Sequence, residues 1–192
     1  DYVETKTQLH DKLVKEFEGD TKRWQMTIGK DLSMRFNNPQ VLFASGKSDL
    51  TPEFKQILNE FLPKYFHILL NDSLRNKIQE IRIEGHTDNV PAPQLDPDAY
   101  LANVILSQQR SLSVLRYFRS MPVYKTYSRK ERKLLEYWFT ANGLSYGKSI
   151  DKNGNYTIES NKPIDRKRSR RVEFRIVTSG EEILENFVKG LN

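Results

Sequence analysis

The 192-residue chain contains no cysteine. That excludes a disulfide framework, thiolate zinc sites, iron–sulfur clusters and a cysteine nucleophile. It leaves the compartment open, because proteins of oxidising compartments can also lack cysteine. Long hydrophobic runs are missing too. The densest, Phe66-His67-Ile68-Leu69-Leu70, falls far short of the ~18–20 apolar residues of a membrane span. The chain opens on Asp1 without a signal-peptide pattern, so it reads as a soluble fragment or processed product whose anchor lies outside it. Its nine glycines are scattered and build no nucleotide-binding loop. Histidine is scarce: His10, His67 and His86 include no His-x-x-x-His pair, so neither a metal site nor a cofactor is expected.

What is present suits one domain. Hydrophobic residues make up 37% and aromatics 11%, enough for a core of modest size and too much for disorder throughout. The net charge of +6 is unevenly placed. Seven Lys/Arg fall between Asn161 and Val177 against Asp165 and Glu173, and seven between Arg116 and Lys133 against Glu131 alone. Two readings stay open: a solvated basic face, or contact with an anionic partner such as nucleic acid, phospholipid or an acidic wall polymer.

Periodicity divides the chain. Leu9, Leu13 and Phe17 form a narrow helical stripe stopped by Gly19-Asp20, which could be a stalk, a packing arm or a frayed end. Alternation from Trp24 to Phe36 around Gly29-Lys30-Asp31 predicts a strand pair. Val41-Leu42-Phe43 is a short buried piece. Thr51 and Pro52 then start a helix through Phe54, Ile57, Leu58, Phe61, Leu62, Tyr65 and Leu69, with a kink or break expected at Pro63. A strand, Ile78 to Glu84, runs into Gly85-His86-Thr87-Asp88, and a proline-broken loop follows.

Ser107 is expected to cap the next helix, with Leu112, Val114, Leu115 and Phe118 buried and Met121-Pro122 ending it. A further helix is expected over Arg129 to Asn142, closed by Asn142-Gly143 in a left-handed cap. Lys148 to Ser169 reads as a polar surface excursion with a hairpin turn at Asn153-Gly154-Asn155. Val172, Phe174 and Ile176 mark the last strand, and Glu181 to Lys189 a short terminal helix. A helix-covered sheet is the natural layer solution.

Three segments carry the chemistry: Gly85-His86-Thr87-Asp88 after a strand, Asn103-Val104-Ile105-Leu106-Ser107-Gln108-Gln109-Arg110 on a helix, and Ser169-Arg170-Arg171-Val172-Glu173-Phe174 at the last strand. In this order and spacing, from about Leu32 to Val177, they resemble the OmpA-like domain of Gram-negative envelope proteins and MotB-type motor anchors. Leu42-Phe43 and Leu50-Thr51-Pro52 fit that family's first strand–helix junction. The Ser169-to-Glu173 junction and the region before it are also similar to MotB-like subunits of the Zorya anti-phage system. Ser169 departs from the family's usual asparagine.

The resemblance implies an α/β two-layer sandwich with a βαβαβ core and mixed sheet, plus an inserted helix and a short N-terminal helix. It divides the chain into an N-terminal helix or linker (1–22), an OmpA-like domain (23–178, insertion about 122–168) and a helical tail (179–192). It implies non-catalytic binding of peptidoglycan through the diaminopimelate of the stem peptide. The ligand-binding residues then fall on Asp88 and Arg110, with Asn103, Thr87 and Leu106 beside them and Arg171 as support. A carboxylate suits the ligand's ammonium and a guanidinium fork its carboxylate. Arg110, taken as lying in a helix's first turn, would gain from free backbone N–H groups there. The implied setting is the periplasm, as a homodimer joined to a membrane anchor or motor partner upstream of Asp1.

Enzyme readings are poor. His86 near Asp88 suggests a dyad, but no nucleophile accompanies it. Glu80 and Glu84 read as solvated strand residues rather than an acid/base pair. The rival from another class is nucleic-acid binding, through Arg166 to Arg171 with Tyr124, Tyr127 and Tyr137 as stacking faces.

Overall fold

The computed structural model describes residues 2–180 and 190. The elements are α1 (Tyr2–Phe17), β1 (Met26–Ile28), β2 (Ser33–Phe36), α2 (Pro39–Leu42), α3 (Pro52–Leu69), β3 (Ile78–His86), α4 (Ala99–Ser120), α5 (Pro122–Thr126), α6 (Arg129–Trp138), β4 (Phe139–Gly143), α7 (Thr157–Ser160), α8 (Arg166–Ser169) and β5 (Arg171–Thr178). They build an α+β fold on a five-stranded mixed sheet of order β1-β2-β5-β3-β4. Among the described residues only β3 and β4 pair in parallel, Ile81 facing Phe139 and Gly85 facing Gly143. The terminal helix expected over Glu181 to Lys189 lies outside the described residues.

Strand alternation gives the sheet two unlike faces. Met34, Phe36, Ile81, Ile83, Val172, Phe174 and Ile176 point to one side and are all buried. The long helix α3 lies over them with a full apolar stripe: Phe61 packs on Phe174 at 5.0 Å and on Phe36 at 5.1 Å between ring centroids. Fully burying each such side chain contributes about 1.5–3 kcal/mol. The stripe Leu9, Leu13, Phe17 of α1 is buried in the same core, so the first helix is a packing arm. Its Phe17 sits 5.2 Å from Phe61.

The opposite face carries Arg35, Arg82, Glu84, His86, Arg171, Glu173 and Arg175, and part of the segment after β4 lies against it. Arg171 Nη2 donates to Lys148 O at 3.0 Å, and Arg35 Nη2 to the Tyr156 hydroxyl at 3.5 Å.

Several expectations need correction. Helix α4 begins at Ala99, with Asp98 capping it by accepting from the amides of Tyr100 and Leu101. Ser107 is therefore mid-helix and buried, its hydroxyl donating to Asn103 O at 2.7 Å and accepting from Ser145 N at 3.1 Å. Leu112 faces solvent. Helix α6 stops at Trp138, and the next five residues form the edge strand β4, so Gly143 is a strand residue and no left-handed cap. A Cβ at Gly143 would stand 2.5 Å from Gln108 N, so its glycine lets α4 lie close on this edge. The inserted region thus contains a strand of the sheet.

Pro63 does not interrupt α3, whose buried face continues on both sides of it. Residues 41–43 are helical in part: α2 ends at Leu42, and Phe43 bridges Leu50. The polar excursion is half-built into the fold. Ile150 and Asp151 are buried, Ile150 N donates to Ser169 Oγ at 3.0 Å, and Gly154 turns the chain at φ +81° where Ile150 bridges Tyr156.

Candidate functional site

The C-terminal end of β3 delivers Thr87 and Asp88. Thr87 N donates to Ser145 O at 2.9 Å, which holds this end against the segment after β4. Asp88 is 5% exposed. Its Oδ1 accepts from Val90 N at 2.9 Å, which aims the carboxylate back toward the sheet end. Its Oδ2 accepts from Arg170 Nη1 at 3.2 Å. Asn103, on the second turn of α4, donates from Nδ2 to Val90 O at 3.0 Å and to Ala99 O at 2.9 Å, tying the loop after Asp88 to the helix.

Arg110 lies two turns further along α4. Its Nε donates to Lys47 O at 2.8 Å, and its guanidinium stands 5.0 Å from the centroid of the Phe43 ring. Burial first, then the neighbouring Arg170 charge, pull Arg110 down to about 10 against the opposing pull of Asp88. It is cationic at neutral pH all the same. Because Arg110 is mid-helix, no free N–H groups of a helix start stand beside it, and that part of the sequence argument falls.

A cavity of about 330 Å³ opens here, lined by Phe43, Ser45, Gly46, Arg110, Arg170 and Arg171 among others. Asp88, Asn103, Thr87 and Leu106 are not in its wall. Asp88 meets it through Arg170, which stands between the carboxylate and the opening. Thr87 is buried with its hydroxyl unpartnered, and Leu106 packs one turn before Arg110. Arg171 lines the cavity, but its donors are committed inward to Glu173 Oε1 (2.7 Å), Ser169 O (3.0 Å) and Lys148 O (3.0 Å).

The sequence reading left out Phe43, and of the pair Arg170–Arg171 it expected only one near the site, taking Arg171 as support, whereas both line the cavity. A signal existed for Arg170. Val172, Phe174 and Ile176 fix the core face, so Arg171 must point the other way, and Arg170, just before β5, projects at the rim.

The polar sheet face is a buried ionic network. Burial pushes Glu84 up, but the bond from His86, the charge of Arg175 and the bond from Arg82 outweigh it and hold the carboxyl at about 2. Burial also pushes Glu173 up, and His86, Arg171 and Arg35 together overcome that and lower it. Glu84 is thus buried and paired, not solvated as expected. Burial pulls His86 down. Its Nε2 faces Glu84 Oε1 at 3.3 Å and its buried Nδ1 has no acceptor, which fits a neutral ring. No dyad with Asp88 forms: His86 turns to the glutamates. Glu84, His86 and Glu173 could in distance terms hold a metal ion. Arg35, Arg82, Arg171 and Arg175 already hold those carboxylates, and a cation would have to displace them.

The nucleic-acid reading loses its stacking platform, since Tyr124 is buried against Phe118 and only Tyr137 is widely exposed. Among the described residues no helix is long and apolar enough to cross a membrane.

Comparison with known proteins decides the kinship. The OmpA family model matches residues 42–127, a stretch spanning Phe43, Asp88, Asn103 and Arg110. The Zorya protein ZorB of Escherichia coli is 37% identical over 183 residues, covering 94% of this chain and 72% of that protein. The chain belongs to the OmpA family. The fold agrees with other solved structures. A MotB-like protein from Desulfovibrio vulgaris superposes with a TM-score of 0.58 at 23% identity, covering 92% of this chain and 96% of its own. A periplasmic domain of MotB superposes at 0.51 with 11% identity, over 81% of this chain and 68% of its own. In this OmpA-family chain Ser169 is fully buried and pins Ile150 through both its amide and its carbonyl.

Proposed function

We propose that this domain binds peptidoglycan without catalysis, in the periplasm, and so anchors a membrane protein or motor complex to the cell wall. Its ligand on this reading is the diaminopimelate of the stem peptide. The supporting observation is that Asp88 and Arg110, the positions to which the family resemblance points, meet Arg170 at one rim. Diaminopimelate offers an ammonium and a carboxylate on one carbon. Asp88 takes the ammonium, exchanging Arg170 for it, and the open fork of Arg110 takes the carboxylate in a charge-assisted pair. Asn103 keeps the loop after Asp88 in place, and Thr87 and Leu106 support the site from within. Kinship with ZorB supports a partner motor subunit, and the proposed homodimer is to be read by light scattering.

The test is sedimentation with purified sacculi, checked by titration with free diaminopimelate. Asp88→Ala and Arg110→Ala each strand one ligand charge. Losing one partner of such a pair costs ~2–5 kcal/mol, well over tenfold in affinity. Melting temperatures should stay near wild type. Unchanged sedimentation of both variants would remove the pocket assignment.

A further inference from the structure

The cations of the second basic stretch collect at the end of the molecule away from the pocket. Strand β3, nine residues and roughly 30 Å long, leads to Asp88 at its His86 end. At its Ile78 end, Trp138 Nε1 donates to Ile78 O at 3.0 Å, and Arg75 pairs with Glu131 at 3.4 Å. Helix α4 runs back from the pocket toward this end, so Arg116 and Arg119 fall on its last turns, and α5 and α6 follow there. All seven Lys/Arg between Arg116 and Lys133 are exposed.

The local carboxylates are already engaged. Glu131 serves Arg75 and the Ser128 amide, and Glu136 pairs with Arg119 at 3.5 Å. Among the described residues no carboxylate lies within ion-pair distance of Arg116, Lys125, Arg129, Lys130, Arg132 or Lys133. Tyr137, one turn beyond Lys133, is 73% exposed, an amphipathic ring of the kind that settles at a lipid headgroup boundary. A nucleic-acid track would instead need several stacking faces, and Tyr124 and Tyr127 pack against Phe118.

We propose that this end is a docking surface for the anionic headgroups of a phospholipid bilayer. The inference rests on the proposed wall binding, which sets the pocket end toward the wall and this end toward the membrane. A cation near an anionic leaflet contributes about fivefold in binding, and the contribution is screened by salt.

The 192-residue chain is sedimented with phosphatidylcholine vesicles and with vesicles enriched in phosphatidylglycerol, across a salt series. Binding should be confined to the anionic vesicles and weaken as salt rises. Lys130→Ala combined with Lys133→Ala should lose roughly twenty- to thirtyfold. That variant should still pellet with sacculi, and Asp88→Ala should still bind vesicles, so failure of either proposal is visible separately. Equal binding to neutral vesicles, or no loss in the double variant, would overturn the proposal. So would duplex DNA bound more tightly than anionic vesicles through the same two lysines.

Discussion

Arg170 occupies the place at Asp88 that the ligand's ammonium is proposed to take, at 3.2 Å from Oδ2. It is therefore a competitor, and 39% of its side-chain surface is exposed, so the pair it forms is modest. Arg170→Met should tighten the titration of free diaminopimelate by a few fold. Weaker binding instead would mean that Arg170 itself holds a ligand carboxylate. Gly143 acts through space rather than charge. A Val there would push its Cβ into the Gln108 backbone and drive α4 from the sheet edge, carrying Asn103 and Arg110 with it. Gly143→Val is expected to lower the melting temperature and weaken sacculus binding together, whereas Arg110→Ala should lower binding alone.

The segment between β4 and β5 divides into a built-in part and a free one. Ser169 Oγ accepts from Ile150 N inside the protein, and Ser169→Ala leaves that amide without a partner. The cost is about 1–3 kcal/mol, readable in urea denaturation. Ile158, 78% exposed on α7, should tolerate Ser with no measurable change. The strands β2, β3 and β5 were legible because alternation repeats on each of them. The run Leu134, Leu135, Trp138, Phe139 was not, since it satisfies the helical period up to the residue where the chain turns into β4. Only the parallel pairing of Phe139 with Ile81 decides that boundary, and it joins residues 58 positions apart. The sequence alone does not choose the start of α4, because Asp98 and Ser107 are both good caps and Asp98 directly follows the proline-broken stretch ending at Pro97. Asp88 and Arg110 became candidates through the family resemblance of their motifs. Arg170's grip on Asp88 could not be read in this way, because it depends on where the end of β5 meets the end of β3.

Acidification acts on the molecule as a whole through its ionic sheet face. His86 is held below 6.5 in the folded state, so the unfolded chain takes up a proton first, and stability begins to fall as pH drops through 6.5. Glu84 is lowered from 4.5 to about 2, which corresponds to on the order of 3 kcal/mol. That contribution is fully present above about pH 4.5 and is lost as pH falls toward 2. The melting temperature should therefore decline in two stages on acidification. His86→Gln should flatten the upper stage and, because the bond from His86 helps hold Glu84 low, shrink the lower one as well. A single stage confined below pH 4.5 in the wild type would remove the histidine from the account.

Glu84 and Glu173 are shared among Arg35, Arg82, Arg171 and Arg175, so these six residues cannot drift one at a time. Deleting the Glu173 charge strands the fully buried Arg171 side chain, at a cost of about 3–5 kcal/mol. Descendants of this chain should inherit the set as a block, exchanging it for apolar residues together or keeping it whole. A lineage with Leu at 173 and Arg still at 171 is the ancestor-to-descendant step that this arrangement forbids.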